Sequence, residues 1–220
     1  MPKSAAPAAL TVESVSRTPL QGRSKASFER MLAAARELMI ERGNEDFTLQ
    51  EVSQRGQVSI GSIYLRFESK DNLVRAVLAN GLQALSDSET AMIEALVKQC
   101  RSLEVFVPRF VEGYAEVLRV NAPLLRLAMA RAENDPLVST PGKRAAETAV
   151  AQATAALLRF AGEFGGTEHE LRASSAYHII FATLARQLSL GSTSESVTVY
   201  DWDLIKRELG RMCLAYLRSA

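Results

Sequence analysis

Thr48, Ser59, Gly61, Ser62, Tyr64, Arg66 and Lys70 fall within one short stretch of the chain. Their hydroxyls can donate to phosphate oxygens, and the guanidinium and ammonium groups can neutralise them. A glycine among them lets backbone approach a ligand closely. These groups can bind anions and polar edges. No Ser–His–Asp, Cys–His, zinc-ligand or phosphate-loop spacing stands out in the sequence. The two histidines, His169 and His178, are nine positions apart, which makes one metal joining them on a helix unlikely. Two cysteines, Cys100 and Cys213, exclude a disulfide-dense scaffold and a four-cysteine zinc site, and both read as small buried residues. No cofactor and no metal are expected.

Helices must position these groups. Phe28, Met31, Leu32, Ala35, Leu38 and Met39 recur at helical spacing, so a first helix is expected over about 24–42, with Gly43 as its stop. Thr48-Leu-Gln-Glu51 is a capping box and starts a second, short helix ending near Arg55. Gly56-Gln57-Val58 makes a tight turn in which Gln57 takes a conformation usually given to glycine. Ser59 caps a third helix over about 60–66, and Ser69 caps a fourth that continues to about Cys100, with a bend possible near Gly81. The second and third helices form a helix-turn-helix. Five further helices are expected over about 102–120, 123–133, 141–163, 168–190 and 202–218. Asn121 and Thr140 mark starts beside prolines, Thr167-Glu-His-Glu170 is a second capping box, and Asp201 caps the last helix. The run 196–200 reads as a loop, and residues 1–22 read as a mobile arm. The fold class is therefore all-α, with about nine helices. Three segments are expected: the arm over 1–22, a helix-turn-helix domain over 23–78 and a larger helical domain over 79–220.

Gly43, Thr48, Val52, the run Val58-Ser-Ile-Gly-Ser-Ile-Tyr-Leu-Arg-Phe67 and then Ser69-Lys-Asp-Asn-Leu73 resemble the DNA-binding domain of the TetR family of transcriptional regulators. The resemblance covers roughly a quarter of the chain, 27–78. It departs at Gly56-Gln57, where an Ala-Gly pair is usual, at Ser53, where Ala is usual, and at Ile60 and Leu65, where polar residues are commoner. It implies phosphate contacts for Thr48, Tyr64 and Lys70. It also implies a two-fold dimer on palindromic double-stranded operator DNA, and release of that operator when an effector binds.

The residues support a DNA reading on their own chemistry. A recognition helix in the major groove presents its early residues to base edges. Ser59 and Ser62 can donate there, Gly61 allows close approach, and Arg66 can reach a guanine edge or a phosphate. Thr48 and Lys70 stand at helix N-termini, which favour anions. From Arg17 to Arg36 the chain has five basic residues against one acidic, Glu29, and Arg23 and Lys25 are placed to reach a minor groove. Capping alone would also place Thr48 and Ser59 where they are.

The larger part is expected to hold an effector site and a dimer face. Phe106, Phe110, Tyr114, Met129, Phe160, Tyr177, His178 and Phe181 are candidate pocket residues, which suits a small hydrophobic effector. Ala173, Ala176, Ile180 and Leu184 on one helix, and Trp202, Ile205, Leu209, Met212, Tyr216 and Leu217 on the next, are candidate dimer residues. An intramolecular core would give the same stripes.

At 220 residues, 47% hydrophobic and 23% charged, the chain fits a globular protein. A net charge of +1 excludes a uniformly basic nucleic-acid coat but not a local basic face. No apolar run reaches membrane-spanning length and no signal peptide is read, so a cytoplasmic location is expected. A helical adaptor with a non-reading helix-turn-helix and an all-helical enzyme remain the alternatives.

Overall fold

The computed structural model describes residues 11–17, 22–191 and 201–220, without the side chains of residues 22 and 23. All regular elements among the described residues are helical: α1 (Val12–Val15), α2 (Gly22–Arg42), α3 (Leu49–Gly56), α4 (Ile60–Arg66), α5 (Lys70–Gln99), α6 (Leu103–Ala132), α7 (Pro136–Leu158), α8 (His169–Gln187) and α9 (Trp202–Arg218). A 3-10 turn over Ala161–Glu163 follows α7. None of these helices is long and apolar enough to cross a membrane.

Local chemistry accounts for most of the boundaries. Gly43 sits at φ 65° and ends α2 in the left-handed region. Thr48 accepts from the Glu51 N–H at 3.2 Å, and Glu51 accepts from the Thr48 N–H at 2.7 Å, closing the expected box at α3. Ser59 caps α4 through the Ser62 N–H, Ser69 caps α5 through the Asn72 N–H, and Asp201 caps α9 through the Leu204 N–H.

Four boundaries differ from the sequence reading. Residues 103–132 form one helix rather than two, although Pro123 lies inside it. Proline's fixed φ is compatible with a helix, at the cost of one backbone bond and crowding of the carbonyl four residues back. The Asn121 side chain does not cap a new helix but donates back to the Val117 carbonyl at 2.8 Å. Helix α7 starts at Pro136, not near Pro141, because Asp135 caps it by accepting from the Leu137 N–H at 3.1 Å. Helix α8 starts at His169 with no side-chain cap, so the box expected at Thr167 does not form. The segment read as an arm contains α1, capped by Thr11. The loop read over 196–200 lies outside the described residues.

The chain divides into two compact units. The first comprises Met1–Gln83 and Pro123–Lys143, the second Ala84–Ala122 and Arg144–Ala220. The stripe Phe28, Met31, Leu32, Ala35, Leu38, Met39 is buried in the core of the first, with Val52, Ile63, Phe67 and Leu73. Phe28 stacks on Phe67 at 5.4 Å between ring centroids. Leu124, Leu127, Ala128 and Val138 join this core from the second segment of the unit. Leu124 packs where Gly81 has no side chain, within an α5 that runs unbroken through that glycine. Ion pairs tie the same segments together. Arg131 reaches Asp135 at 3.0 Å, Glu45 at 2.7 Å and Asp71 at 3.0 Å, while Arg75 reaches Asp135 at 2.8 Å. Burial opposes ionisation of Asp135, yet hydrogen bonds from Arg75 and Arg131 hold its carboxyl below the usual range.

The second unit has an aromatic spine. Phe160, Phe106, Phe110, Tyr114, Tyr177 and Phe181 follow one another with centroid separations of 5.0, 5.8, 5.6, 5.6 and 6.5 Å. Lys206 on α9 is buried, yet stays charged between Glu112 at 2.7 Å, Asp203 at 2.9 Å and Glu116 at 3.1 Å. Burial alone would lower its pKa; the three carboxylates outweigh that and raise it. Cys100 and Cys213 are both buried and unpaired, as expected, and burial pushes the Cys213 thiol up to about 11.

Candidate nucleic-acid interface

Helices α2, α3 and α4 present the helix-turn-helix. Gly56 brings α3 onto α2: a Cβ there would stand 3.1 Å from the Arg30 carbonyl, and Arg30 Nε donates to the Gly56 carbonyl at 3.1 Å. Gln57 adopts φ 49°, ψ 49°, the left-handed turn expected of it. Its N–H returns to the last turn of α3, and the Val58 N–H donates to the Ser53 carbonyl at 3.0 Å.

Helix α4 buries Ile63 and leaves Gly61, Tyr64 and Leu65 facing out. Tyr64 is 60% exposed and Leu65 59%. Ser59 and Ser62 hydroxyls lie 2.7 Å apart and bond each other. Ile60 is half-buried and packs partly against the core of the first unit.

Arg66 behaves differently from the sequence reading. Its guanidinium donates to the Arg17 carbonyl at 2.7 Å and to the Ser24 hydroxyl. The Arg17 N–H donates back to the Arg66 carbonyl at 3.0 Å. Arg66 therefore clasps the α1 segment against the end of α4, with two of its five donors engaged. Two partners far apart in sequence from Arg66 cannot be read from local spacing.

The cations around the helix-turn-helix divide in the same way. Lys70, at the first position of α5, rests 4.8 Å from the Phe47 ring centroid, with no salt bridge among the described residues. Lys25 is exposed, 4.0 Å from Glu29. Arg23 lies on the first turn of α2, and its side chain falls outside the described residues. Arg55 pairs with Glu41 and Glu37, and Arg42 with Glu51. The hydrogen bond from Arg42, together with those from Thr48, holds the Glu51 carboxyl at about 2. Thr48 is exposed, and its hydroxyl also points to Glu51 at 3.0 Å, so its cap is complete.

The other expected sites are only partly assembled. Six of the eight pocket candidates form the aromatic spine, packed ring on ring. Met129 belongs to the first unit instead. His178 is exposed and its Nδ1 pairs with the Ser174 carbonyl at 2.8 Å, so it does not face the interior. The sequence reading missed Glu89, a carboxyl buried on α5 and pushed by desolvation to about 7. Its charge would act on both Tyr114 and Tyr177, whose hydroxyls pair at 2.8 Å.

Of the dimer candidates, Ala173, Ala176, Ile180, Leu184, Leu209 and Leu217 face the protomer's own core and are not a free surface. Trp202 donates from its indole N–H to Glu116 at 2.9 Å, Tyr216 lies under Arg172, and Ile205 is half-buried. On α8 and α9 the exposed large apolar residues among those described are Leu171 and Ile179, and Leu204 and Met212, of which Met212 is one of the dimer candidates. Each pair is eight positions apart, two helical turns along one face.

Residues 31–77 match the family model of bacterial regulatory proteins of the tetR family. Among solved structures, a regulator assigned to the TetR family from Mesorhizobium loti MAFF303099 is 19% identical, with 90% of this chain and 96% of that chain covered and a TM-score of 0.68. A bacterial regulatory protein in the tetR family from Rhodococcus RHA1 is 18% identical over 89% and 98% of the two chains, with a TM-score of 0.61. The fatty acid degradation regulator FadR from Bacillus halodurans is 12% identical over 92% and 100%, with a TM-score of 0.65. No curated protein matches the sequence. Residues 31–77 thus match a tetR-family domain, and the chain shares the fold of solved TetR-family transcriptional regulators.

Proposed function

We propose that this protein is a sequence-specific DNA-binding transcriptional regulator, a homodimeric repressor in the cytoplasm that releases palindromic operator DNA when a small hydrophobic effector binds. The carrying observation is the outward face of α4. Gly61, Tyr64 and Leu65 project from a short helix whose Ile63 is buried, with no acidic residue from Val52 through Phe67. Lys70 and the hydroxyls of Thr48 and Tyr64 would meet phosphates beside it, joined by the exposed Lys25 near the start of α2.

Dimerisation rests on the exposed stripes Leu171–Ile179 and Leu204–Met212, which suit a self-complementary interface. A two-fold dimer would set two copies of α4 about 34 Å apart, one turn of the duplex. The effector site rests on the interior of the second unit. An aromatic spine beside a buried carboxyl, a tyrosine pair and the unpartnered buried hydroxyl of Thr154 offers apolar lining with a few polar groups. An effector that binds one arrangement of the dimer better than the other would shift operator affinity by that difference.

The test is selection of bound fragments from a random duplex pool at fixed salt. A palindromic motif, weakened by Tyr64→Phe and Lys70→Ala, is the expected result. Salt-dependent binding without a motif would favour the adaptor reading.

A further inference from the structure

The reading helix has an unusual inventory. Ile60–Arg66 contains no Asn, Gln, Lys, Asp or Glu. These side chains and arginine make the charged or bidentate contacts to a base edge, whereas serine offers a single, less selective one. The single candidate, Arg66, is turned to Arg17 and Ser24. The hydroxyls of Ser59 and Ser62 bond each other, which leaves one O–H donor of the pair free. What remains on the outer face is apolar: Leu65, and the ring of Tyr64.

Gly61 stands four positions before Leu65, on the same side of the helix. A Cβ added at Gly61 would meet nothing within 4 Å. Its φ is not in the left-handed region, so the backbone does not call for glycine either. Glycine inside a helix weakens it relative to alanine. Nothing in the protein's own packing explains its presence, so the space above it serves something outside the chain. Gly61 and Leu65 together make a notch with an apolar wall on a helix that carries no acidic residue.

The major groove offers one apolar group for such a notch, the 5-methyl of thymine. We propose that Gly61 and Leu65 form a thymine-methyl reader, so that each half-site is specified by the position of a methyl group rather than by a guanine–arginine pair. The proposal rests on the DNA reading above and gives that surface its base preference.

The test starts from the selected operator. Each thymine in a half-site is replaced in turn by deoxyuridine, which removes the methyl and keeps the base pair. At one position the wild-type protein should bind about fourfold more weakly per methyl removed, the value of one buried methyl-sized group. Leu65→Ala should bind the thymine and uracil sites equally. Gly61→Ala, which fills the notch, should reverse the preference and bind the uracil site better. Circular dichroism checks that both variants keep their helices, as an exposed position and an open Cβ site lead one to expect. Sequence-specific binding that ignores uracil at every position would overturn the proposal while leaving the DNA reading intact. So would a uracil effect that persists unchanged in Leu65→Ala. Selection of no sequence at all would overturn both.

Discussion

The Ser53 hydroxyl donates to the Val58 carbonyl at 2.6 Å, and the Val58 N–H donates to the Ser53 carbonyl at 3.0 Å. The turn between α3 and α4 is therefore closed twice across the same two residues. Ser53 replaces the usual alanine where Gln57 replaces the usual glycine, so an extra hydrogen bond accompanies a strained turn residue. Ser53→Ala should lower stability by about 1 kcal/mol, the usual worth of one hydrogen bond. Gln57→Gly should raise it by about 1 kcal/mol by relieving the left-handed residue. Urea unfolding of both variants checks the pair.

The Arg131 hub should behave as one unit. Arg131→Met leaves Glu45, Asp71 and Asp135 facing one another with Arg75 as their remaining cation. A loss of about 2–3 kcal/mol is expected, below the range for a fully buried pair because Glu45 and Asp71 reach solvent. Arg131→Lys should restore little of it, since one ammonium cannot span three carboxylates. Equal unfolding midpoints for wild type and the methionine variant would show the hub to be a surface feature.

These outcomes bear on how much the sequence disclosed. The helix-turn-helix was legible because its signals are local: Thr48 with Glu51, Ser59, Gly43, and the buried spacing through Ile63 and Phe67. The arrangement of Arg66 was not, because its partners lie 49 and 42 positions away. Pro123 misled because proline punctuation is a tendency that the surrounding helix can absorb. The buried members of the dimer stripe, unlike the exposed Met212, misled for a different reason. Ala176 and Ile179 both sit at helical spacing, and only packing decides which is buried and which is exposed. Glu89 and Lys206 carry no sequence signature, since a buried charge is spaced like an exposed one.

Clasping by Arg66 should protect the chain near Arg17. Arg66→Ala removes the donors to Arg17 and Ser24, and tryptic cleavage after Arg17 should become several-fold faster than in wild type. Mass analysis of the early fragments reads the site. An unchanged rate would mean that the backbone bond from Arg17 to Arg66 suffices.

Stability should depend on Glu89 between about pH 4.5 and 7. Its carboxyl is neutral in the folded protein up to about 7, whereas the unfolded chain releases that proton near 4.5. The folded state thus binds one more proton across this window, so the contribution is complete below 4.5 and lost as pH rises through 7. Glu89→Gln should flatten this slope and gain on the order of 3 kcal/mol at pH 8. Thermal melts across pH 4.5–8 measure it.

The exposed stripes predict the oligomeric state. Ile179→Glu with Met212→Glu should convert a dimer to monomer in sedimentation, leaving the helix content of each chain unchanged. A dimer that survives both changes would place the interface elsewhere.

The hydrogen bond from Trp202 to Glu116 has a practical consequence. The chain has one tryptophan, and it lies in the second unit. Selectively excited indole emission will therefore register loss of that unit alone and stay blind to the helix-turn-helix. Far-ultraviolet ellipticity sums the helices of both. Superimposable melting curves from the two signals would mark a single cooperative transition, and separated curves would time the disassembly of each unit without any added label.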